Sequence, residues 1–171
     1  MKIALAPAAL IAAALLGGCQ LRPLYRGGAA GTVRTTFAAV QVAPIEGRAG
    51  WLVAGELRDR LGRGGDGSAA RYRLEIRLDD QIQGLGVQRN DVVTRERRTL
   101  RARYQLVDLA NGSVVLDATA GSDAGIDVVG SEYATIAAEQ TALEQLSTQI
   151  ADQIVARIAR FASQSAAPAA P

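Results

Sequence analysis

Strict alternation of apolar and polar residues runs through residues 71–82. The apolar side chains of this stretch share one parity: Tyr72, Leu74, Ile76 and Leu78. A period of two predicts a strand with one face in the core and one face in solvent. The same alternation predicts a second strand over residues 92–108, after a loop around residues 84–91.

The turn that follows the second strand contains an Asn-Gly pair, which is typical of hairpins. A three-residue loop from Ala110 to Gly112 pairs Leu106 with Leu116 and keeps both side chains on the apolar face. A two-residue loop would instead place an aspartate opposite Leu106. We therefore predict the longer loop, with Gly112 in a left-handed conformation at a bulge, and a strand over residues 113–120.

Spacings of three and four between apolar residues predict two helices, over residues 48–61 and 132–161. The apolar stripe of the second helix is long: Ile136, Leu143, Leu146, Ile150, Ile154, Ile158 and Phe161. We expect Trp51 of the first helix to be buried against the sheet. The glycine-rich residues 62–68 predict a loop, and residues 121–131 predict another.

The N-terminal part of the domain is rich in β-branched residues over residues 32–43, which predicts one more strand. Only one face of the sheet is apolar, so both helices should pack on that face. The sequence thus predicts an α+β fold over residues 32–161: a two-layer sandwich of a four-stranded sheet with two helices on one face. The low-complexity residues 162–171 are expected to be a disordered tail.

Residues 1–18 have the plan of a lipoprotein signal peptide. Lys2 precedes an apolar run over residues 3–16, which is too short to span a bilayer comfortably. The run leads into Leu-Gly-Gly-Cys ending at Cys19, which resembles a lipobox. The resemblance implies cleavage before Cys19 and its acylation, with N-palmitoyl and S-diacylglycerol groups. The alternative is an ordinary secretory signal followed by a chance cysteine.

Residues 19–31 are expected to form a lipidated tether. Gln20 follows the cysteine, and by resemblance to lipoprotein sorting rules this residue favours the outer membrane. We therefore expect the chain on the periplasmic side of that membrane, anchored by its acyl groups in the lipid. Apart from these covalent groups no cofactor is expected.

The composition argues against several functions. The 19 basic and 17 acidic residues nearly cancel, which argues against a general nucleic-acid binder. The chain has no His, the commonest general base and zinc ligand, and its one Cys allows no intrachain disulfide. Lys2 is the only Lys, so no Ser-Lys pair remains after cleavage. We predict no catalytic residues, no metal site and no enzymatic activity.

The residues after Cys19 contain a tether motif: Leu21, Arg22, Pro23, Leu24 and Tyr25. This segment resembles the LptE family of lipopolysaccharide-assembly lipoproteins, in particular its alphaproteobacterial branch. The family usually has Gly and then an aromatic residue after the cysteine, where this chain has Gln and Leu. The resemblance implies a protein that plugs the LptD β-barrel, assists its assembly, contacts lipopolysaccharide (LPS) and catalyses no reaction. An accessory of an ABC-type lipid transporter and an activator of a cell-wall enzyme remain alternatives.

The candidate binding residues occupy the odd-numbered, polar positions of the two central strands: Arg73, Arg77, Arg95, Arg101 and Arg103. LPS carries phosphates and carboxylates, and the planar guanidinium binds two such oxygens at once. We hypothesise that this patch binds LPS or acidic residues of the barrel lumen. The alternative is a solvated charged face.

One register that keeps the apolar faces aligned pairs two of the acidic residues of the first strand with arginines of the second. It places Glu75 opposite Arg101 and Asp79 opposite Arg97, so those arginines would be neutralised. In that register Arg73, Arg77, Arg95 and Arg103 would have no acidic partner.

Overall fold

The computed structural model describes residues 31–62, 69–87 and 93–165. The expectations for the signal peptide, for Cys19, for the tether motif and for residues 63–68 and 166–171 lie outside these ranges. The elements are α1 (Thr32–Ala38), β1 (Val40–Val42), α2 (Gly47–Leu61), β2 (Tyr72–Val87), β3 (Val93–Asp108), β4 (Val114–Asp127) and α3 (Glu132–Ser165).

The four strands form one sheet in the order β1-β2-β3-β4. The short β1 runs parallel to β2, with Val40 beside Tyr72, and the other neighbours are antiparallel. The apolar sides of the helices and of the sheet share a single hydrophobic core. The α+β sandwich predicted from the alternation is confirmed, with three helices rather than two in the described part of the chain.

The additional helix lies where the sequence predicted a strand. Residues 32–43 form α1 and then the three-residue β1. Val33 and Phe37, four residues apart, lie on the same side of α1 and are both buried. This burial outweighs the strand preference of the threonines and valines, because tertiary packing routinely overrides intrinsic propensity.

The long strands extend further than the alternation predicted. The strand β2 continues to Val87, and β4 continues to Asp127, through residues that were predicted to be loops. The added parts pair with the sixteen-residue β3, so the backbone groups that they direct to β3 are satisfied despite their Gly and Asp content. The helix α3 likewise extends to Ser165, so the prediction of a disordered tail is wrong for residues 162–165.

The β3–β4 hairpin is confirmed in register. Leu106 lies opposite Leu116, and Tyr104 lies opposite Ala118. Gly112 has a φ of 71°, as predicted. The bulge, however, lies at Val115, because the pair after Leu106 and Leu116 joins Val107 to Val114, so the predicted three-residue loop with its bulge at Gly112 is wrong.

The core lies between α3 and the sheet. The fully buried side chains of α3 are Leu146, Ser147, Ile150, Ala151, Ile154, Ile158 and Ala159. Phe161 packs edge to face against Tyr72, with ring centroids 6.0 Å apart. Ile136, at the start of the same stripe, is 43% exposed. The prediction for Trp51 is wrong: its side chain is 72% exposed, because the buried side of α2 is formed by Gly50, Val53, Ala54, Leu57 and Leu61.

None of the helices in the described ranges combines the length and the apolarity needed to cross a bilayer.

Candidate functional site

The outer face of the sheet is the face that the helices leave uncovered. Side chains alternate along β2 and β3, so the odd-numbered residues of both strands point to this face. All five predicted arginines lie there and are exposed: Arg73, Arg77, Arg95, Arg101 and Arg103. The alternation therefore placed these residues on the correct face.

The register between β2 and β3 differs from the predicted one. Arg77 lies directly opposite Arg103, and Asp79 lies opposite Arg101. Glu75 faces Gln105 instead of Arg101, and Arg97 faces Gln83. Both registers keep the apolar face intact; the structure differs because β2 extends to Val87, which moves the connection towards the C-terminus.

Three of the five arginines have acidic partners, which corrects the expectation that they are unpaired. Arg73 pairs with Glu75 of its own strand at 2.7 Å. The other two pairs reach β4: Arg95 with Asp127 at 3.0 Å and Arg103 with Asp117 at 3.2 Å. Exposed pairs of this kind contribute at most about 1 kcal/mol each.

Asp117 holds two donors at once. Gln105 donates a hydrogen bond of 2.8 Å to Oδ2 of Asp117, and Arg103 donates one of 3.2 Å to the same oxygen. These hydrogen bonds hold the pKa of Asp117 below its ordinary value. The positive charge of Arg103 is therefore partly offset.

Within the described residues Arg77 and Arg101 have no ion-pair partner. The nearest carboxylate by register, Asp79, accepts hydrogen bonds of 3.1 and 3.2 Å from the amide of Gln81. Arg77, Arg101 and Arg103 line one depression of about 470 Å³ on the outer face, and Asp79 and Thr119 also line it. We call this depression, with its three arginines, the arginine depression.

Gly121 of β4 shapes the arginine depression. A Cβ atom on this residue would lie 3.3 Å from Nη1 and 3.6 Å from Cγ of Arg101. The side chain of Arg101 thus lies across the backbone of Gly121, where any other residue would crowd it. The sequence pattern gave no indication of this role, because Gly121 lies among residues that were predicted to be a loop.

The arginine depression is suited to an oxyanion. A guanidinium forms two parallel hydrogen bonds to a phosphate or a carboxylate and stays charged at all relevant pH values. Arg77 and Arg103 are like charges on facing strands, and an anion between them would relieve their repulsion. No group of three or more potential metal ligands exists among the described His, Cys, Asp and Glu side chains.

Another arginine of β3, Arg98, lies on the helix side and has a structural role. It donates hydrogen bonds of 2.8 and 2.6 Å to the two carboxylate oxygens of Asp80, and one of 2.8 Å to the carbonyl of Glu139 in α3. The hydrogen bonds with Asp80 raise the pKa of Arg98 above its ordinary value. Arg98 and Asp80 both have even numbers, like the apolar residues that face the helices, and this was the signal in the sequence.

Solved structures resemble this fold. A lipoprotein from Caulobacter crescentus CB15 matches with a TM-score of 0.65 at 24% identity, over 81% of this chain and 100% of that one. Rare lipoprotein B from Shewanella oneidensis matches with a TM-score of 0.57 at 13% identity, over 74% and 96%. Lipoprotein B from Nitrosomonas europaea matches with a TM-score of 0.55 at 14% identity, over 74% and 88%. The architecture is therefore one that bacterial lipoproteins use.

The sequence of the chain also matches that of a known family. The LptE family model, described as lipopolysaccharide-assembly, matches residues 37–158, from the end of α1 into the last turns of α3. The chain belongs to the LptE family of lipopolysaccharide-assembly lipoproteins. None of the curated proteins matches the chain.

Proposed function

We propose that this protein is a lipid-anchored component of the LPS export machinery of the outer membrane, and that its arginine depression binds the phosphates of LPS. The observation that carries the proposal is the pair of guanidiniums that have no acidic partner among the described residues, Arg77 and Arg101, beside Arg103 in one depression. Membership of the LptE family indicates LPS as the ligand, since the family is described by LPS assembly.

The anchor in this proposal is Cys19. We infer N-palmitoyl and S-diacylglycerol groups on this residue, which hold the domain on the periplasmic side of the outer membrane. Each buried methylene contributes about 0.8 kcal/mol, so several acyl chains anchor a protein firmly. Mass spectrometry of the mature protein should find the acylated cysteine as its first residue; an unmodified thiol or a freely released protein would contradict the anchor.

The protein partner in this proposal is an LptD-like β-barrel, which the chain plugs and whose assembly it assists. We infer that acidic residues of the barrel lumen contact the outer face beside the arginine depression. The role is binding and scaffolding, with no reaction catalysed. Affinity purification from detergent-extracted outer membrane should recover a large barrel, whereas recovery of an inner-membrane transporter or a murein synthase in its place would contradict this role.

Binding of LPS is tested by charge reversal in the arginine depression. The variants Arg77→Glu and Arg101→Glu should each weaken binding of purified LPS by about tenfold or more, because each loses a charge-assisted contact and gains a repulsive charge. The matched control is Arg95→Glu, which makes the same charge change on the same face but outside the depression. Equal losses in all three variants would reduce the effect to net charge and contradict the site.

A further inference from the structure

A cleft along the open edge of β4 is lined by polar and charged groups that have no part in the proposed LPS site. In the described sheet β4 is an edge strand with β3 as its neighbour. The cleft has a volume of about 710 Å³ and lies between β4 and the C-terminal half of α3. The residues that matter for its chemistry are Tyr104, Thr119, Gln153, Arg157 and Arg160.

Gln153 of α3 already pairs with this edge as a peptide group would. Its Nε2 donates a hydrogen bond of 3.2 Å to the carbonyl of Gly121, and its Oε1 accepts one of 3.2 Å from the N–H of the same residue. Both backbone groups of Gly121 thus point away from β3. The side-chain amide takes the place of one peptide unit of a neighbouring strand.

The backbone of Thr119 points the same way as that of Gly121. In an antiparallel pair the residues alternate between those bonded to the neighbouring strand and those turned away from it. Thr119 and Asp117 are two and four residues from Gly121, so their N–H and C=O groups face the cleft. Such a row of open donors and acceptors is a template for another strand.

The acidic side chains of the cleft are engaged by arginines of other elements, which leaves its own two arginines as the charges available to a ligand. Asp152 accepts a hydrogen bond of 2.7 Å from Arg60 of α2, and Asp117 accepts those of Arg103 and Gln105. Arg157 and Arg160 are exposed and have no ion-pair partner within the described ranges. Burial raises the pKa of Tyr104, and the two guanidiniums act against this shift, as charges close to its hydroxyl do.

We propose that the β4-edge cleft binds an extended, acidic peptide segment of a partner protein, which adds to the sheet beside β4 while Arg157 and Arg160 hold its carboxylates. The alternating N–H and C=O groups of the edge favour a peptide over a glycolipid, because only a peptide backbone presents the same alternation. Gln153 limits the added strand to the part of β4 before Gly121. This proposal does not depend on LPS binding at the arginine depression, which lies on the outer face.

The test uses the full mature chain in detergent and a fluorescently labelled, blocked hexapeptide of alternating Val and Glu. Fluorescence anisotropy should show saturable binding to the wild-type protein. Thr119→Pro should weaken it by about tenfold, because proline removes the donor that faces the cleft and leaves the bonds to β3 in place. Thr119→Val, which keeps the N–H, should bind as the wild type does.

The charge contribution is tested with the Arg157→Glu/Arg160→Glu double variant, which alters two exposed side chains and leaves the backbone edge unchanged. It should also weaken binding by about tenfold or more. A hexapeptide of alternating Val and Lys should not bind. The proposal is overturned if the acidic peptide does not bind the wild type, or if Thr119→Pro binds it as well as Thr119→Val does. It is also overturned if binding of inorganic pyrophosphate alone depends on Arg157 and Arg160 in the same way and is not weakened by Thr119→Pro.

Discussion

Arg77 of β2 lies directly opposite Arg103 of β3 on the outer face of the sheet. Like charges at facing positions of an antiparallel pair oppose folding by roughly 0.2–1 kcal/mol. A position selected for stability alone would not carry this pair. The geometry therefore predicts that stability and LPS binding respond in opposite directions when one of the two charges is changed.

The variant Arg77→Glu should raise the free energy of unfolding by a few tenths of a kcal/mol to about 1 kcal/mol, since it replaces a repulsive pair by an attractive one. The same variant should lose LPS binding. Urea denaturation and a binding assay on the same preparation check both parts. A variant that is less stable and still binds LPS would contradict the proposed role of Arg77.

Gly121 allows a test of shape without any change of charge. The variant Gly121→Val places side-chain atoms where Arg101 now lies, so Arg101 must move and LPS affinity should fall severalfold. The fold should keep its stability or gain slightly, because glycine weakens a strand interior. The matched control is Gly125→Val, on the same face of β4, where an added Cβ meets nothing within 4 Å. Equal LPS affinity in the two variants would contradict the role of Gly121.

The ion pair of Arg98 with Asp80 should matter for stability rather than for binding. Its side chains are only 12% and 25% exposed, and Arg98 also bonds the backbone of α3. The variant Arg98→Met leaves the Asp80 carboxylate and a helix carbonyl without their donor, which should cost about 1–3 kcal/mol of unfolding free energy. The control is Arg95→Met, whose pair with Asp127 is 64% and 76% exposed and should contribute under about 1 kcal/mol. Equal losses would show that Arg98 does not join the sheet to α3.

Asp117 should make stability depend on acid pH. Its pKa is lower in the folded chain than its ordinary value of 3.8, because Gln105 and Arg103 donate hydrogen bonds to the charged carboxylate. A lowered folded pKa means that this contribution is present above the ordinary value and is lost as the pH falls through the folded one. The variant Asp117→Asn should therefore lose less stability than the wild type between neutral pH and pH 3. Asp123→Asn, on the same face of β4 but with no ion-pair partner in the described part, is the control and should follow the wild type.

Alternation along the chain predicted which residues share a face, and this is why the positions of Arg77, Arg101 and Arg103 on the outer face followed from the sequence. The pairing of Leu106 with Leu116 also followed, because side-chain parity keeps both residues on the apolar face. Both predictions depend on local rules that hold along one strand or one hairpin.

The partners of the arginines could not be predicted in the same way. A shift of two or four residues between β2 and β3 leaves the apolar face intact, so parity does not distinguish the predicted register from the observed one. The pair of Arg95 with Asp127 also requires β4 to extend through residues whose Gly and Asp content is typical of a loop. The contact of Gln153 with Gly121 joins residues 32 positions apart and depends on how α3 packs along the sheet edge.

Contact of LPS with the outer face of the sheet at the arginine depression can be tested in cells. The most direct measurement places a photoreactive amino acid at Thr99, which lies on that face two residues before Arg101, and irradiates intact cells. We expect an adduct that reacts with an antibody to LPS and that is lost in the Arg77→Glu/Arg101→Glu background. An equal LPS adduct from Gln140 on the exposed side of α3, or no adduct from Thr99 in a protein that still supports LPS export, would rule out LPS contact at the arginine depression.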